Sequence, residues 1–267
     1  MANYQCFERD ERWIEWPRRR LQAIQRRLVR LLDRIEPPAY MHSGFRGRSY
    51  VTNAREHEWG IRLAKIDVRK FFPSTSARYV FRCFLATFEC SDDVAAVLTK
   101  LTTISGHLPT GGSTSTILSF YAYKRMFDEL ADLSASRGVV MSCLVDDMTF
   151  SGEAATSRFL YEVRLIAGQY GLKVHKRHCF EPGQVKVVTG VALTPQGVRL
   201  PNQRRKNLQD ATSAFAAEQD PWLKVKKGEQ LLGRVTEAAQ IEPRFRPYIS
   251  VVARQLKEAR RALTARS

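Results

Sequence analysis

Apolar positions along this chain repeat with two periods, about 3.6 and about 2, and the switches between them outline the predicted elements. Over residues 12–35, Trp13, Trp16, Leu21, Ile24, Leu28, Leu31, Leu32 and Ile35 fall at helical spacing. That spacing predicts one amphipathic helix, stopped by Pro37-Pro38. Residues 78–88 and 91–104 predict two more helices, the first with Tyr79, Phe81 and Phe84 as a core-facing aromatic stripe. Ser91 would cap the second, with Asp92 and Asp93 in a first turn whose dipole favours acids. A long helix is predicted over 117–137, and another over 154–170 that ends at Gly171. Strand character appears at residues 63–74, where a strand runs into a turn, and again at 139–152, 172–179 and 184–193. Glu181-Pro182-Gly183 is the turn between the last two. From Gln203 onward the pattern is helical and basic, which predicts a helical bundle.

The 139–152 stretch carries the first candidate chemistry. Two apolar runs flank Asp146-Asp147, a gap of hairpin length. Favoured two-residue turns carry Asn-Gly or Asp-Gly because both central residues need positive φ. Asp-Asp gives up the glycine and sets two like charges side by side. A divalent cation would remove that repulsion, since hard cations take carboxylate oxygens; a solvated acidic turn would read the same. Asp67 adds weight, because it lies among apolar neighbours in the predicted strand, where a lone carboxylate is costly unless paired or metal-bound. Beside the hairpin, Asp67 and Asp146 could hold two metals about 4 Å apart, as in polymerases and nucleases.

Composition changes the picture mainly through charge. Lys and Arg number 43 against 27 Asp and Glu, a formal +16 with a pI near 10.0, which points to a polyanion and first of all to nucleic acid. Arg18, Arg19, Arg20, Arg26, Arg27, Arg30 and Arg34 line the polar face of the first predicted helix, with few acids to pair them. No stretch of about 18 apolar residues is present to span a bilayer. The first sixteen residues are mixed and charged, unlike a signal peptide, so a cytoplasmic protein without a membrane partner is expected. Cys6, Cys83, Cys90, Cys143 and Cys179 show no CxxC spacing and are expected as reduced, mostly buried thiols.

Two loops hold further candidates. Residues 42–49 place Gly44, Phe45, Arg46, Gly47 and Arg48 together, either as a plain turn or as basic reach toward a triphosphate or a template backbone. Residues 108–116 form a Gly/Ser/Thr loop at the start of a helix, where small residues let backbone approach a ligand.

Three motifs in order then resemble one family. Asp67 with Phe71-Phe72-Pro73-Ser74, the loop Leu108-Pro109-Thr110-Gly111-Gly112, and Val145-Asp146-Asp147 are similar to the successive palm motifs of reverse transcriptases. Within that family, Asn53, Ala54 and His57 match the Asn-Ala-x-x-His signature of prokaryotic retron enzymes, and Val188, Thr189 and Gly190 match their Val-Thr-Gly triplet. Gly44-Phe45, Gly233 and Pro243 also fit. The chain departs in three places: Leu144-Val145 replaces Tyr-Ala before the aspartates, Thr110 replaces a glutamine, and His178 aligns where a palm lysine is expected.

The resemblance implies an α+β right-hand polymerase fold with fingers, an antiparallel palm sheet and a helical thumb. Its motifs put an N-terminal helix and fingers at 1–60, palm at 61–200 with a fingers insertion near 74–107, and thumb at 201–267. It implies RNA-directed DNA synthesis from a cognate structured non-coding RNA, primed from an RNA hydroxyl, in antiphage defence. Implied partners are that RNA, dNTPs, an RNA–DNA hybrid product and a toxin or effector protein. The implied cofactor is a pair of Mg²⁺ ions, with Mn²⁺ as substitute, on Asp67 and Asp146, with Asp147 accessory and the Val68 carbonyl completing one shell. Arg48, Arg69 and Lys70 would take the triphosphate, Phe72 the 2′ side of the sugar, and Thr110 with Gly111 the nucleotide. Asn53, Ala54, His57, Val188, Thr189, Gly190, Arg204 and Arg205 would meet the RNA. A general acid would be His178 or Lys176. Two alternatives stand beside this: a defence-associated reverse transcriptase without a retron RNA, and a catalytically silent RNA-binding protein on the same fold.

Overall fold

The computed structural model describes residues 3–9 and 11–264. They form two compact units, 1–184 and 185–267.

The first unit opens with strands where one helix is predicted. β1 (Tyr4–Arg9) and β2 (Arg12–Pro17) pair antiparallel, and α1 covers only Arg19–Leu32. The helical spacing of Trp13 and Trp16 misleads because Pro17 would sit inside the predicted helix, where it lacks an N–H and its ring clashes with the preceding turn. The chain pairs as a ribbon instead, and Pro17 closes its last register pair, with Tyr4. Only Leu21, Gln25 and Leu32 of α1 are buried, whereas Ile24 and Leu31 stay exposed.

Next come α2 (Tyr50–Arg55), β3 (Leu63–Val68), the single turn α3 (Phe71–Ser74) and α4 (Ala77–Arg82), which runs into a π-turn at Cys83–Thr87. α5 (Asp92–Thr102) begins after Ser91 as expected, but the Ser91 hydroxyl donates to Asp93, 2.5 Å away, in place of accepting from a backbone N–H. The long helix expected over 117–137 is two helices, α6 (Ser115–Ala122) and α7 (Lys124–Ser136), which break at Tyr123. Burial of that tyrosine accounts for the break. Its ring stacks on Tyr79 and Phe71, 4.8 and 5.7 Å between centroids, and its hydroxyl donates to the Ser74 carbonyl at 3.1 Å.

β4 (Val140–Leu144), β5 (Asp147–Ser151) and β6 (Val174–Phe180) join β3 in an antiparallel sheet of order β4-β5-β3-β6, with α8 (Ser157–Gln169) between β5 and β6 in sequence. Alternation along β3 buries Ala64, Ile66 and Val68 in the main core and leaves Lys65 and Asp67 on the other side. The core beneath is aromatic: Phe120 packs on Phe127 and Phe150 on Phe159. Residues 40–42 extend the sheet beside β4, with His42 N–H donating to the Cys143 carbonyl (2.8 Å) and Cys143 N–H to the Tyr40 carbonyl (2.7 Å).

The second unit is a three-stranded meander followed by helices. The single strand expected over 184–193 is a hairpin, β7 (Lys186–Val188) and β8 (Val191–Thr194), and β9 (Gly197–Arg199) completes the sheet. Thr189 and Gly190 form the turn, both at positive φ (46° and 85°), the geometry that suits a two-residue hairpin. α9 (Asn202–Ala217), α10 (Pro221–Ile241) and α11 (Arg246–Thr264) give the expected helical tail. Buried Glu242 ties its parts together: it accepts from Leu200 N–H at 2.8 Å and pairs with Arg244 at 2.9 Å and Arg205 at 3.6 Å. Among the described residues all five cysteines are free; Cys83 and Cys143 are buried and Cys90 half-buried, but Cys6 and Cys179 are exposed, against the expectation of mostly buried thiols.

Candidate active site

Strand register brings the three aspartates to one point. Asp67 on β3 pairs with Asp147 on β5 and with His175 on β6, so a row of Asp147, Asp67 and His175 crosses the open side of the sheet. Asp146 is joined to the same place by its carbonyl, which accepts from Val68 N–H at 3.0 Å. The hairpin differs from the expected one by a residue. Its turn is Val145-Asp146, and Asp147 already belongs to β5, paired with Leu144. Val145 stands at φ 61°, a left-handed conformation uncommon for a β-branched residue. Its N–H donates to the buried Ser43 Oγ at 2.8 Å, and its carbonyl accepts from Cys143 Sγ at 3.5 Å. Ser43 therefore braces the turn that carries Asp146.

Basic side chains answer two of the carboxylates. His175 Nε2 lies 2.6 Å from Asp67 Oδ1 and Lys176 Nζ 3.8 Å from Asp67 Oδ2, while Lys65 Nζ is 3.4 Å from Asp147. Lys176 reaches Asp67 through a bulge. Between Asp67 and Lys65 the partner strand gains one residue, and Lys176 takes φ 51° there. Asp146 has no ion-pair partner among the described residues. Burial first, and then the charge of Asp67, push its carboxyl up to about 6. Asp147 is also raised, chiefly by burial, with Lys65 pulling the other way.

As the side chains stand, no three His, Cys, Asp or Glu among the described residues form a metal-holding group. Asp67 is turned to His175 and Lys176, and Asp147 to Lys65. The donor set nevertheless suits a hard divalent cation, being carboxylate oxygen, with Asp146 in no ion pair among the described residues. A bound cation would lower the raised Asp146 carboxyl again.

The remaining candidates divide by exposure. Phe71 is core, stacked on Phe127 and Tyr123, whereas Phe72 is half-buried beside it. Arg69 and Lys70 are exposed just past Asp67, and Lys70 takes φ 50° as the chain turns into α3. Arg48 is half-buried and donates to the Ala39 carbonyl at 3.3 Å, so the structure ties it to its own loop. Gly111 is exposed. Thr110 is held by its backbone to buried Glu15 of β2, its N–H donating to Glu15 Oε2 (3.2 Å) and its carbonyl accepting from Glu15 N–H (3.0 Å). His178 is exposed and lies beside Phe180, and Lys65 is its register partner on β3.

Of the residues expected to meet RNA, Asn53, Ala54, His57 and Val188 are buried. His57 closes the aspartate side of the sheet at its far end: Nδ1 meets Ser151 Oγ and Nε2 meets Ser142 Oγ, each at 2.7 Å. In the second unit Thr189 and Gly190 are half-buried, and the Arg204 guanidinium lies against Gly190 and pairs with Glu237 at 2.6 Å. Sequence reasoning missed His175, Lys65 and Ser43. Lys65 was within reach, since residues two apart on a strand share a face; the other two depend on pairing.

No family model matches the chain. It is 27% identical over 210 residues to the retron Se72 reverse transcriptase of Salmonella heidelberg (strain 579083-10), covering 74% of this chain and 55% of that protein. It is 32% identical over 207 residues to the retron Mx65 reverse transcriptase of Myxococcus xanthus, covering 68% of this chain and 48% of that protein. The chain thus spans about half the length of these curated relatives. Among solved structures, apo telomerase from Candida tropicalis superposes with a TM-score of 0.55 at 10% identity, over 93% of this chain and 58% of that one. At that identity the likeness speaks for the fold alone, and it agrees with the antiparallel sheet and flanking helices of an α+β right-hand polymerase. With retron reverse transcriptases as its sequence relatives and the three motif aspartates gathered on that sheet, this chain is a homologue of the retron reverse transcriptases.

Proposed function

We propose that this chain is an RNA-directed DNA polymerase of the retron type, which copies a structured RNA into single-stranded DNA. The observation that carries the reading is the gathering of three aspartates, Asp67 and Asp147 by register and Asp146 by the bond from Val68 N–H to its carbonyl. A silent RNA-binding protein would have no use for three carboxylates set against phosphate. In this reading residues 61–200 act as palm, 74–107 as a fingers insertion and 201–267 as thumb.

Asp67 and Asp146 would hold two Mg²⁺ ions, with Asp147 close by. Bound there, the metals would supply activation of the primer hydroxyl and neutralisation of the leaving phosphates. Arg69 and Lys70, exposed just past Asp67, hold the triphosphate by charge. Lys65 and His175 orient the carboxylates that would hold the cations. Lys176, aimed at Asp67 by its bulge, fits the role of proton donor to the departing pyrophosphate better than His178, which points to Phe180. Priming from an RNA hydroxyl, a role in antiphage defence and an effector partner are extensions of the retron relationship.

Asp67→Asn and Asp146→Asn test the assignment by primer extension with dNTPs. Each should lose about 4 kcal/mol of transition-state stabilisation, about three orders of magnitude in rate, with RNA affinity retained because it rests on phosphate contacts. Wild-type incorporation by either variant would refute the reading. Phe72→Ala should raise ribonucleotide relative to deoxynucleotide use, measured as a ratio of incorporation rates; an unmoved ratio would make Phe72 packing only.

A further inference from the structure

The N-terminal ribbon has a side that the polymerase reading leaves unused. Tyr4, Glu15 and Pro17 are buried against the rest of the first unit, Tyr4 beside Leu21 and Ile104. Register and alternation put Cys6, Glu8 and Trp13 on that same side as Glu15, where all three are exposed. The opposite side presents Phe7, Arg9, Arg12 and Trp16, with Gln5 and Ile14 and no acid. Phe7 and Trp16 are 36% and 46% exposed. This side lies beside the Gly111 loop: Glu15 N–H bonds Thr110, and a Cβ added to Gly111 would come within 3.4 Å of Ile14 Cγ2. α1 follows at once, with Arg19, Arg20, Arg26, Arg27 and Arg30 and no acid along its length.

We infer that this side of the hairpin is a stacking platform for an unpaired RNA strand; the inference rests on the reading of the chain as RNA-templated. The chemistry is specific to that occupant. An aromatic ring accepts the face of any base, and arginines beside it take the phosphates that follow, which is how sequence-tolerant single-strand sites are built. A protein docking surface would instead deplete charge at its centre. Trp16 and Phe7 share their side of the ribbon with Arg12, α1 follows with its exposed arginines and no acid, and charge complementarity then selects a polyanion with exposed bases.

The test is titration of the full chain with an oligouridine probe and with a blunt RNA duplex, read by fluorescence anisotropy across a salt series. Trp16→Ala and Phe7→Ala should each weaken oligouridine binding about tenfold. Duplex binding and the salt slope should not move, because the rings make no phosphate contact. Trp16→Leu keeps an apolar side chain on the ribbon but removes the π face, so it should bind as weakly as Trp16→Ala, whereas Trp16→Tyr should bind as wild type. Equal binding by the Leu and Tyr variants, or no change in any variant, overturns the platform. So does sedimentation in which Trp16→Ala dissociates a dimer without altering RNA affinity, since the face would then belong to a second copy. Asp146→Asn run alongside separates the two claims: activity in that variant sinks the polymerase reading, while an inactive Asp146→Asn with unaffected Trp16 variants sinks the platform alone.

Discussion

Two tight hairpin turns, one in each unit, follow opposite rules. At Thr189-Gly190 both residues have positive φ and the second is glycine, the residue type such a turn demands. Its surroundings are ordinary packing, with Arg204 against the glycine and paired to Glu237. At Val145-Asp146 a β-branched residue occupies φ 61°, a conformation that costs an L-residue about 1–2 kcal/mol. The next residue is a carboxylate with a raised pKa beside two others. The first turn satisfies its own backbone; the second is held against its preference by Ser43 and by sheet pairing. Strain that the surroundings hold in place concentrates where the position of a side chain matters to chemistry, and here the strained turn is the one that carries Asp146.

The contrast can be broken most directly at Gly190. Gly190→Ala must accept φ 85° and displace the Arg204 guanidinium, which a new Cβ would otherwise approach to 2.2 Å. The second unit should lose about 2 kcal/mol, seen as a lower urea midpoint with unchanged slope. An unmoved midpoint would erase the claim that this turn is tuned for stability. Ser43→Ala comes next. It leaves the Val145 N–H without its acceptor, at a cost of about 1–2 kcal/mol, and incorporation should fall about tenfold with the dNTP KM unchanged, a misplacement effect. A loss confined to KM would assign Ser43 to nucleotide binding instead. Smallest in stability is Val145→Gly, which relieves the left-handed cost but adds chain entropy, for a net change of about 1 kcal/mol or less. Activity should nonetheless drop, because a glycine turn no longer fixes Asp146. In that background Ser43→Ala should cost less than it does alone, since a glycine turn can rotate its N–H to water; strict additivity in the double-mutant cycle would show the two are uncoupled.

Much of the candidate site was legible in the sequence. Asp67 stood out as a carboxylate in an apolar run, and Asp146-Asp147 as a hairpin lacking its glycine. Phe71 and Phe72 were indistinguishable in sequence and separate only in the structure, one buried in the core and one half-buried beside it. The Asn53–His57 signature lies inside the fold: its side chains are buried, and His57 bonds two serines of the sheet. Triple replacement of Asn53, Ala54 and His57 is therefore a lesion of the core as well as a test of recognition.

Local properties were set by the sequence alone: the +16 charge, the helical tail, the strands around the aspartates, and the helix-ending glycine at 171. These follow from periodicity and from φ preferences that act within a few residues. Three things required the tertiary structure. Residues 12–17 became strand because β1 offered a partner and Pro17 barred a helix. His175 and Lys176 came to Asp67 because β6 pairs with β3 across a bulge, a contact between residues more than a hundred positions apart. The left-handed Val145 was secured by Ser43, a hydroxyl that local sequence could not have matched to it. Each depends on which strand lies next to which, and that choice is made by burial over the whole sheet, where a one-residue slip would turn every side chain to the other face.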